Sequence, residues 1–214
     1  MSGCCARHGQ DEFFKDRFAK RTAKRFRRKG LDAVSRSLVT RAGEGGLEGA
    51  TVLEIGGGVG QVMLALLEAG ASRGEVVELV PSYEKHARQL AEELGVGDRA
   101  SFRTADLVAD PAAREPADVV VLNRVVCCTP DGVELAGVAA SLARRTLVLS
   151  FPRDARLVRA AFAGVNAAQW LRRRRFRVFV HSPKALRVAA EAHGLRLVTE
   201  RSGPVWQVAA FERA

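Results

Sequence analysis

At 214 residues, 47% of them hydrophobic and with a mean hydropathy of −0.04, the chain is long enough to bury a sizeable core and reads as one globular protein. No run approaches the roughly 18 uncharged apolar residues of a membrane span, and the N-terminus lacks the apolar core of a signal peptide, so a cytoplasmic protein is expected. The net charge of +10 comes from 28 Arg and 6 Lys against 24 acids, concentrated in residues 7–41 and in the five Arg of 172–177; such clusters attract phosphates, anionic membranes or acidic small molecules, or form solvated helix faces.

In chain order, residues 1–10 read as unstructured. Phe13, Phe14, Phe18 and Phe26 fall at helix-compatible intervals among charges, which predicts one or two amphipathic helices over 11–41, laid across a cleft. A glycine-rich linker, 43–49, leads to an apolar strand at 51–55 and a loop at 56–60. The predicted elements then alternate: helix 60–69, strand 74–80, helix 81–94, strand 100–103, strand 117–122, helix 131–143, strand 146–151, helix 153–162, a longer segment to Val180, helix 183–193, and strands 195–201 and 205–212. Ser182-Pro183 opens its helix with a cap and a proline at the first position, and Gly194 closes it. Strand 117–122 is apolar on both faces, as a central parallel strand is. Ser202-Gly203-Pro204 is of hairpin length, so the last two strands pair antiparallel. The predicted fold is α/β and Rossmann-like: a mostly parallel seven-stranded sheet with an antiparallel C-terminal hairpin and N-terminal helices. Its expected divisions are 1–10, a helical lid and linker at 11–49, and the α/β domain at 50–214.

The segment TVLEIGGGVG carries the most chemistry. A strand that points at a ligand needs residues without a Cβ where backbone approaches closely or turns with positive φ, and Gly56, Gly57, Gly58 and Gly60 supply them. The following helix offers its N-terminal amides. A dinucleotide loop has the spacing G-x-G-x-x-G; here the pattern is acidic-x-G-x-G-x-G from Glu54 to Gly60, and an acid two residues before the first glycine suits a cationic ligand better than a pyrophosphate. Glu78, 24 residues past Glu54 and ending the next strand, is placed to accept hydrogen bonds from two ribose hydroxyls.

This spacing resembles motif I of the class I S-adenosylmethionine-dependent methyltransferases. The resemblance implies S-adenosyl-L-methionine as cofactor, with Glu54 and the glycines at its amino acid end. It further implies Glu78 and Leu79 at the ribose, Asp106 and Leu107 at the adenine, and Asn123 near the methyl donor. VVVLNRVVCCTPD, TLVLSFPRD, FRVFVHSPKALRVAAEAHGLRLV and PVWQVAAFER are similar to matching parts of the magnesium-protoporphyrin O-methyltransferases, which methylate a propionate carboxylate. That family has a His just before Tyr-Pro after its fourth strand and an N-terminal Tyr. This chain has Val126-Cys127-Cys128-Thr129-Pro130 at the first place, and its only tyrosine is Tyr83.

Methyl transfer from a sulfonium depends mainly on alignment. A carboxylate acceptor needs no base, whereas a hydroxyl or amine needs one. The candidates for that base are His181, Cys127 and Cys128, then His8; His181 and Cys128 are the expected catalytic residues, with a structural hydrogen bond as the alternative for His181 and burial as small apolar residues for the cysteines. Trp170, Phe176, Phe179 and Trp206 are candidates for an aromatic wall, with core packing as the alternative for Trp206, and Arg172 to Arg175 for binding acceptor anions. The acceptor pocket is expected between the helical lid, the segment after Asn123, and residues 164–181. The pairs Cys4-Cys5 and Cys127-Cys128 match neither a disulfide framework nor a zinc spacing, and no metal site is expected. The acceptor is expected to be a small molecule, a carboxylate or hydroxyl of an anionic aromatic compound. RNA is the alternative partner, and a cofactor-binding protein without catalysis is the alternative role. Oligomeric state is left open.

Overall fold

The computed structural model describes residues 8–110 and 115–214; Cys4, Cys5 and most of the segment expected to be unstructured lie outside these. Three helices open the chain, α1 (Gln10–Phe13), α2 (Asp16–Lys29) and α3 (Ala33–Gly43). Gln10, placed in the 1–10 segment by the sequence, opens α1, is buried, and donates its side-chain amide to the Cys128 carbonyl at 3.2 Å. Next come β1 (Thr51–Ile55), α4 (Gln61–Glu68), β2 (Arg73–Glu78), a 3-10 turn (Pro81–Tyr83), α5 (Glu84–Glu93), β3 (Ala100–Thr104) and β4 (Ala117–Asn123). A second 3-10 turn (Val126–Cys128), α6 (Gly132–Leu142), β5 (Ala143–Pro152), α7 (Arg156–Leu171), α8 (Pro183–Glu191), β6 (Leu195–Ser202) and β7 (Trp206–Arg213) complete the described chain.

The seven strands lie in the order β3-β2-β1-β4-β5-β7-β6, with the first five parallel and β7 antiparallel to both neighbours. The predicted fold class is therefore the observed one. From β1 the chain steps outward to β2 and β3, then returns to place β4 on the other side of β1. The carboxyl ends of β1 and β4 thus splay apart at a topological switch point, where open α/β sheets bind ligands.

The apolar side chains of β4 point alternately into two cores. Val119 and Val121 pack under α3, α4 and α5 with Leu38, Met63, Leu66 and Leu90. Val120 and Leu122 pack under α6 and α8 with Leu135, Ala139 and Leu186. Burial on both faces explains the strand's lack of alternation. The largest departure from the predicted elements is α7. It runs nine residues beyond the expected end at residue 162, because residues 163–171 contain only residues compatible with a helix and no breaker besides Gly164.

Candidate active site

The functional cavity, about 370 Å³ in volume, opens at the switch point. Its floor is the row of strand ends: Ile55 to Val59 after β1, Val77 to Val80 after β2, Ala105 to Val108 after β3, and Asn123 to Val125 after β4. Its outer wall comes from far away in the chain: Phe14, Phe18, Thr22 and Arg25 from the N-terminal helices. The size falls within the range of small-molecule sites.

Glycine is required in the floor for two separate reasons. Gly56 has φ 64°, in the left-handed region, and a Cβ there would overlap the Val125 side chain. Gly57 lies directly over Glu54: a Cβ would sit 2.7 Å from the Glu54 carboxyl carbon. Gly60, also at positive φ, precedes α4 and does not line the cavity.

Glu54 is fully buried and does not line the cavity. One carboxyl oxygen accepts the Met63 amide at 2.8 Å, tying the glycine loop to the first turn of α4. The other, Oε1, has no hydrogen-bond partner among the described residues. Burial raises this carboxyl to about 8, against the pull of the Met63 amide and with a further push from Glu78. The acid of the motif therefore acts from beneath the loop, as its support. Glu78 does line the cavity. It accepts the Gly58 amide at 2.8 Å and the Val80 amide at 3.0 Å, while burial pushes its carboxyl up and these amides pull it down. Leu79, Asp106 and Leu107 line the cavity too, and Asp106 also closes a turn by accepting the Val108 amide at 3.1 Å. Asn123 is fixed from both ends, donating to Ser35 Oγ at 3.1 Å and accepting from Ser150 Oγ at 3.0 Å.

Several expected acceptor-site residues lie elsewhere. His181 is outside the cavity: its Nε2 lies 2.9 Å from the Val126 carbonyl and 3.0 Å from the Thr129 carbonyl, so this nitrogen donates its proton toward two backbone acceptors and does not face the site. It shapes the Val126–Cys128 turn. Cys128 does reach the cavity, but its thiol is pushed well up by its contact with Cys127 and by burial, so it remains protonated. The predicted aromatic wall is also corrected. Trp170 is exposed, Phe176 is buried behind the wall against Phe13 and Phe14, and Trp206 stacks under Arg124; none of these or Phe179 lines the cavity. The wall is instead Phe14, Phe18 and Tyr83, whose hydroxyl is pushed up by burial. Arg172 to Arg175 lie away from it as well, and Arg175 pairs with Glu12 at 2.7 Å.

Two cavity residues, Arg124 and Asp32, form an ion pair between distant parts of the chain. Arg124, non-glycine at φ 57°, holds Asp32 through two bonds of 2.8 and 3.0 Å and lies over the Trp206 ring at 5.1 Å. Asp32 also caps α3 by accepting the Ser35 amide at 3.0 Å. Burial alone would raise the Asp32 carboxyl, yet Arg124 and Ser35 outweigh it and hold it down to about 2. A cap after Gly30 is readable in the sequence; its partner 92 residues later is not. His8 also lines the cavity, 3.6 Å from the Asp131 carboxylate.

A glycine loop over a buried acid, a second acid ending β2 and a third after β3 form one continuous floor, and a family profile described as a methyltransferase domain matches residues 23–200. The chain belongs to the methyltransferase domain family. It is a class I S-adenosylmethionine-dependent methyltransferase. The magnesium protoporphyrin IX methyltransferase of Synechocystis PCC 6803 with bound SAH is 21% identical, over 95% of this methyltransferase and 99% of that chain, with a TM-score of 0.70. An O-methyltransferase family protein from Burkholderia thailandensis is 21% identical, over 98% of this chain and 64% of that one, with a TM-score of 0.71. The complex of the Haloferax volcanii Trm112 methyltransferase activator with a methyltransferase matches at 16% identity, over 94% and 96%, with a TM-score of 0.70. At these identities the structural likeness concerns the fold of the methyltransferase. No curated protein matches its sequence.

Proposed function

We propose that this methyltransferase transfers the methyl group of S-adenosylmethionine to a carboxylate or hydroxyl of a small, flat, anionic acceptor. The observation that carries this reading is that one continuous cavity is lined by two chemically different sets of residues. One set is the strand-end acids and glycines; the other is Phe14, Phe18, Arg25 and Arg124 with Cys128 and Thr129. Aromatic faces suit a flat acceptor, and Arg25 and Arg124, two guanidinium groups beside the one carboxylate of Asp32, leave a net positive charge that suits an anion. The names of two structural relatives, a protoporphyrin methyltransferase and an O-methyltransferase, support an oxygen acceptor.

The residues fit the cofactor. Glu78 retains carboxylate lone pairs for ribose hydroxyls, Asp106 and Leu107 border a pocket suited to adenine, and Gly56, Gly57, Gly58 and Asn123 border the amino acid end. Glu54 supports this part of the site from beneath, holding the glycine loop to the first turn of α4 through the Met63 amide. The cofactor supplies an electrophilic methyl on a sulfonium. The protein's part is to hold the acceptor oxygen in line and to exclude water with the Phe14 and Phe18 wall. A carboxylate acceptor is already ionised and needs no proton removed. For a hydroxyl acceptor, His8 is the imidazole on the cavity, with Asp131 beside it to stabilise the charge it gains.

Calorimetric titration of S-adenosylmethionine into the wild type and Glu78→Ala, with NAD as control, tests the site. Binding that weakens at least about tenfold in the variant, about 1.4 kcal/mol, supports the assignment and justifies an acceptor screen beginning with carboxylated aromatics. Equal binding by both proteins would overturn the role of Glu78, and tighter binding of NAD would overturn the cofactor reading of the cavity.

A further inference from the structure

Residues 155–190 contain nine basic residues and no acid. The first half of this stretch is α7, a 16-residue helix that buries only Val158 and Gln169. Its outward side is not polar, as a solvated helix face would be. Leu157, Ala160, Gly164, Ala167 and Leu171, spaced at helical intervals of three and four, form an exposed apolar stripe. Leu157 is 85% exposed, Leu171 77% and the adjacent Trp170 71%. Arg172, Arg173 and Arg174 follow immediately, exposed and without a carboxylate partner among the described residues, and Arg156 flanks the other end. None of these residues lines the cavity.

We infer that the outer face of α7 and the arginine run after it dock on an anionic lipid bilayer, with the helix lying in the plane of the interface. An apolar ridge with a tryptophan at its end, bordered by unpaired arginines, presents both chemistries of such a surface. Leu157, Trp170 and Leu171 enter the acyl boundary while the guanidinium groups stay among the phosphates. Charge selects this occupant. A second copy of the chain meeting this face symmetrically would bring like-charged arginine arrays together without acids to neutralise them. RNA would satisfy the arginines but leave the leucine stripe in water. No described helix is long and apolar enough to cross a membrane, so the contact is peripheral.

The test is co-sedimentation of the full chain with vesicles of phosphatidylcholine containing phosphatidylglycerol, against vesicles of phosphatidylcholine alone, at low and high salt. The expected result is binding to the anionic vesicles only, weakened by salt. An Arg172→Gln, Arg173→Gln, Arg174→Gln triple variant should bind at least about tenfold less tightly. A Leu157→Ser, Trp170→Ser, Leu171→Ser variant should lose a similar factor, with circular dichroism and S-adenosylmethionine affinity unchanged because these side chains are exposed and outside the cavity. Absence of preference for anionic vesicles overturns the proposal. So does vesicle binding that survives the serine substitutions, since a purely electrostatic patch would need no ridge. Tighter binding to RNA than to vesicles, insensitive to the serine substitutions, would make the face a nucleic-acid surface instead.

Discussion

The two sets of residues that build the cavity do so by different means. In the set proposed for the cofactor the contacts are made by backbone: the Gly58, Met63, Val80 and Val108 amides donate to Glu78, Glu54, Glu78 and Asp106, over separations of 20 residues or fewer. In the set proposed for the acceptor they are made by side chains over long separations, Asp32 to Arg124 across 92 residues and Gln10 to the Cys128 carbonyl across 118. A backbone-built set tolerates no Cβ and leaves a spacing pattern behind. A side-chain-built set can be rebuilt with other residues, which suits the part of an enzyme that sets specificity.

The largest expected effect is from Gly56→Ala. Its Cβ meets Val125 in a conformation that L-residues avoid, so stability should fall by about 2–3 kcal/mol in denaturant titrations and S-adenosylmethionine binding should drop with it. Wild-type stability and binding would show that the loop relaxes and that the backbone-built set is less rigid than described. Next, Arg124→Ala should raise the acceptor KM about tenfold while leaving the S-adenosylmethionine Kd nearly unchanged; a variant that weakens both equally would erase the distinction between the two sets.

Buried Glu54 and half-buried Asp32 sharpen the comparison by responding to pH in opposite directions. Glu54 has a folded-state pKa of about 8, above its ordinary 4.5. Stability from its protonated form is complete below pH 4.5 and is lost as pH rises through 8. Thermal melts of the ligand-free protein should therefore weaken across that window by at least about 1 kcal/mol, and Glu54→Gln should flatten the slope. Asp32 lies at about 2, below its ordinary 3.8. Its contribution is present above pH 3.8 and lost as pH falls through 2, on the order of 1 kcal/mol after solvent screening. Asp32→Asn should remove that acid-limb loss, and an unchanged acid limb would mean that the ion pair adds nothing to closure of the N-terminal helices.

Legibility followed the same division. Gly56, Gly57, Gly58, Glu78, Asp106 and Asn123, which the structure brings to one cavity, are legible in the sequence because each sits at a fixed offset from a strand end, and strand ends follow from hydrophobic pattern. The place of His181 before a capped helix says nothing about which way its ring turns, and two carbonyls hold it behind the Val126–Cys128 turn. The chemistry of the arginine run and Trp170 suits an acceptor, but the length of α7 carries them to the outer surface.

The sequence by itself determined the α/β order, the parallel sheet with its final hairpin, and the floor of the cavity, because local periodicity, turn residues and close backbone approach are all short-range constraints. Only the tertiary structure decided that Glu54 lies beneath the loop, that Phe14, Phe18 and Tyr83 form the wall, and that Asp32 meets Arg124. Those contacts depend on how helices pack across a twisted sheet, and no spacing along the chain records that packing.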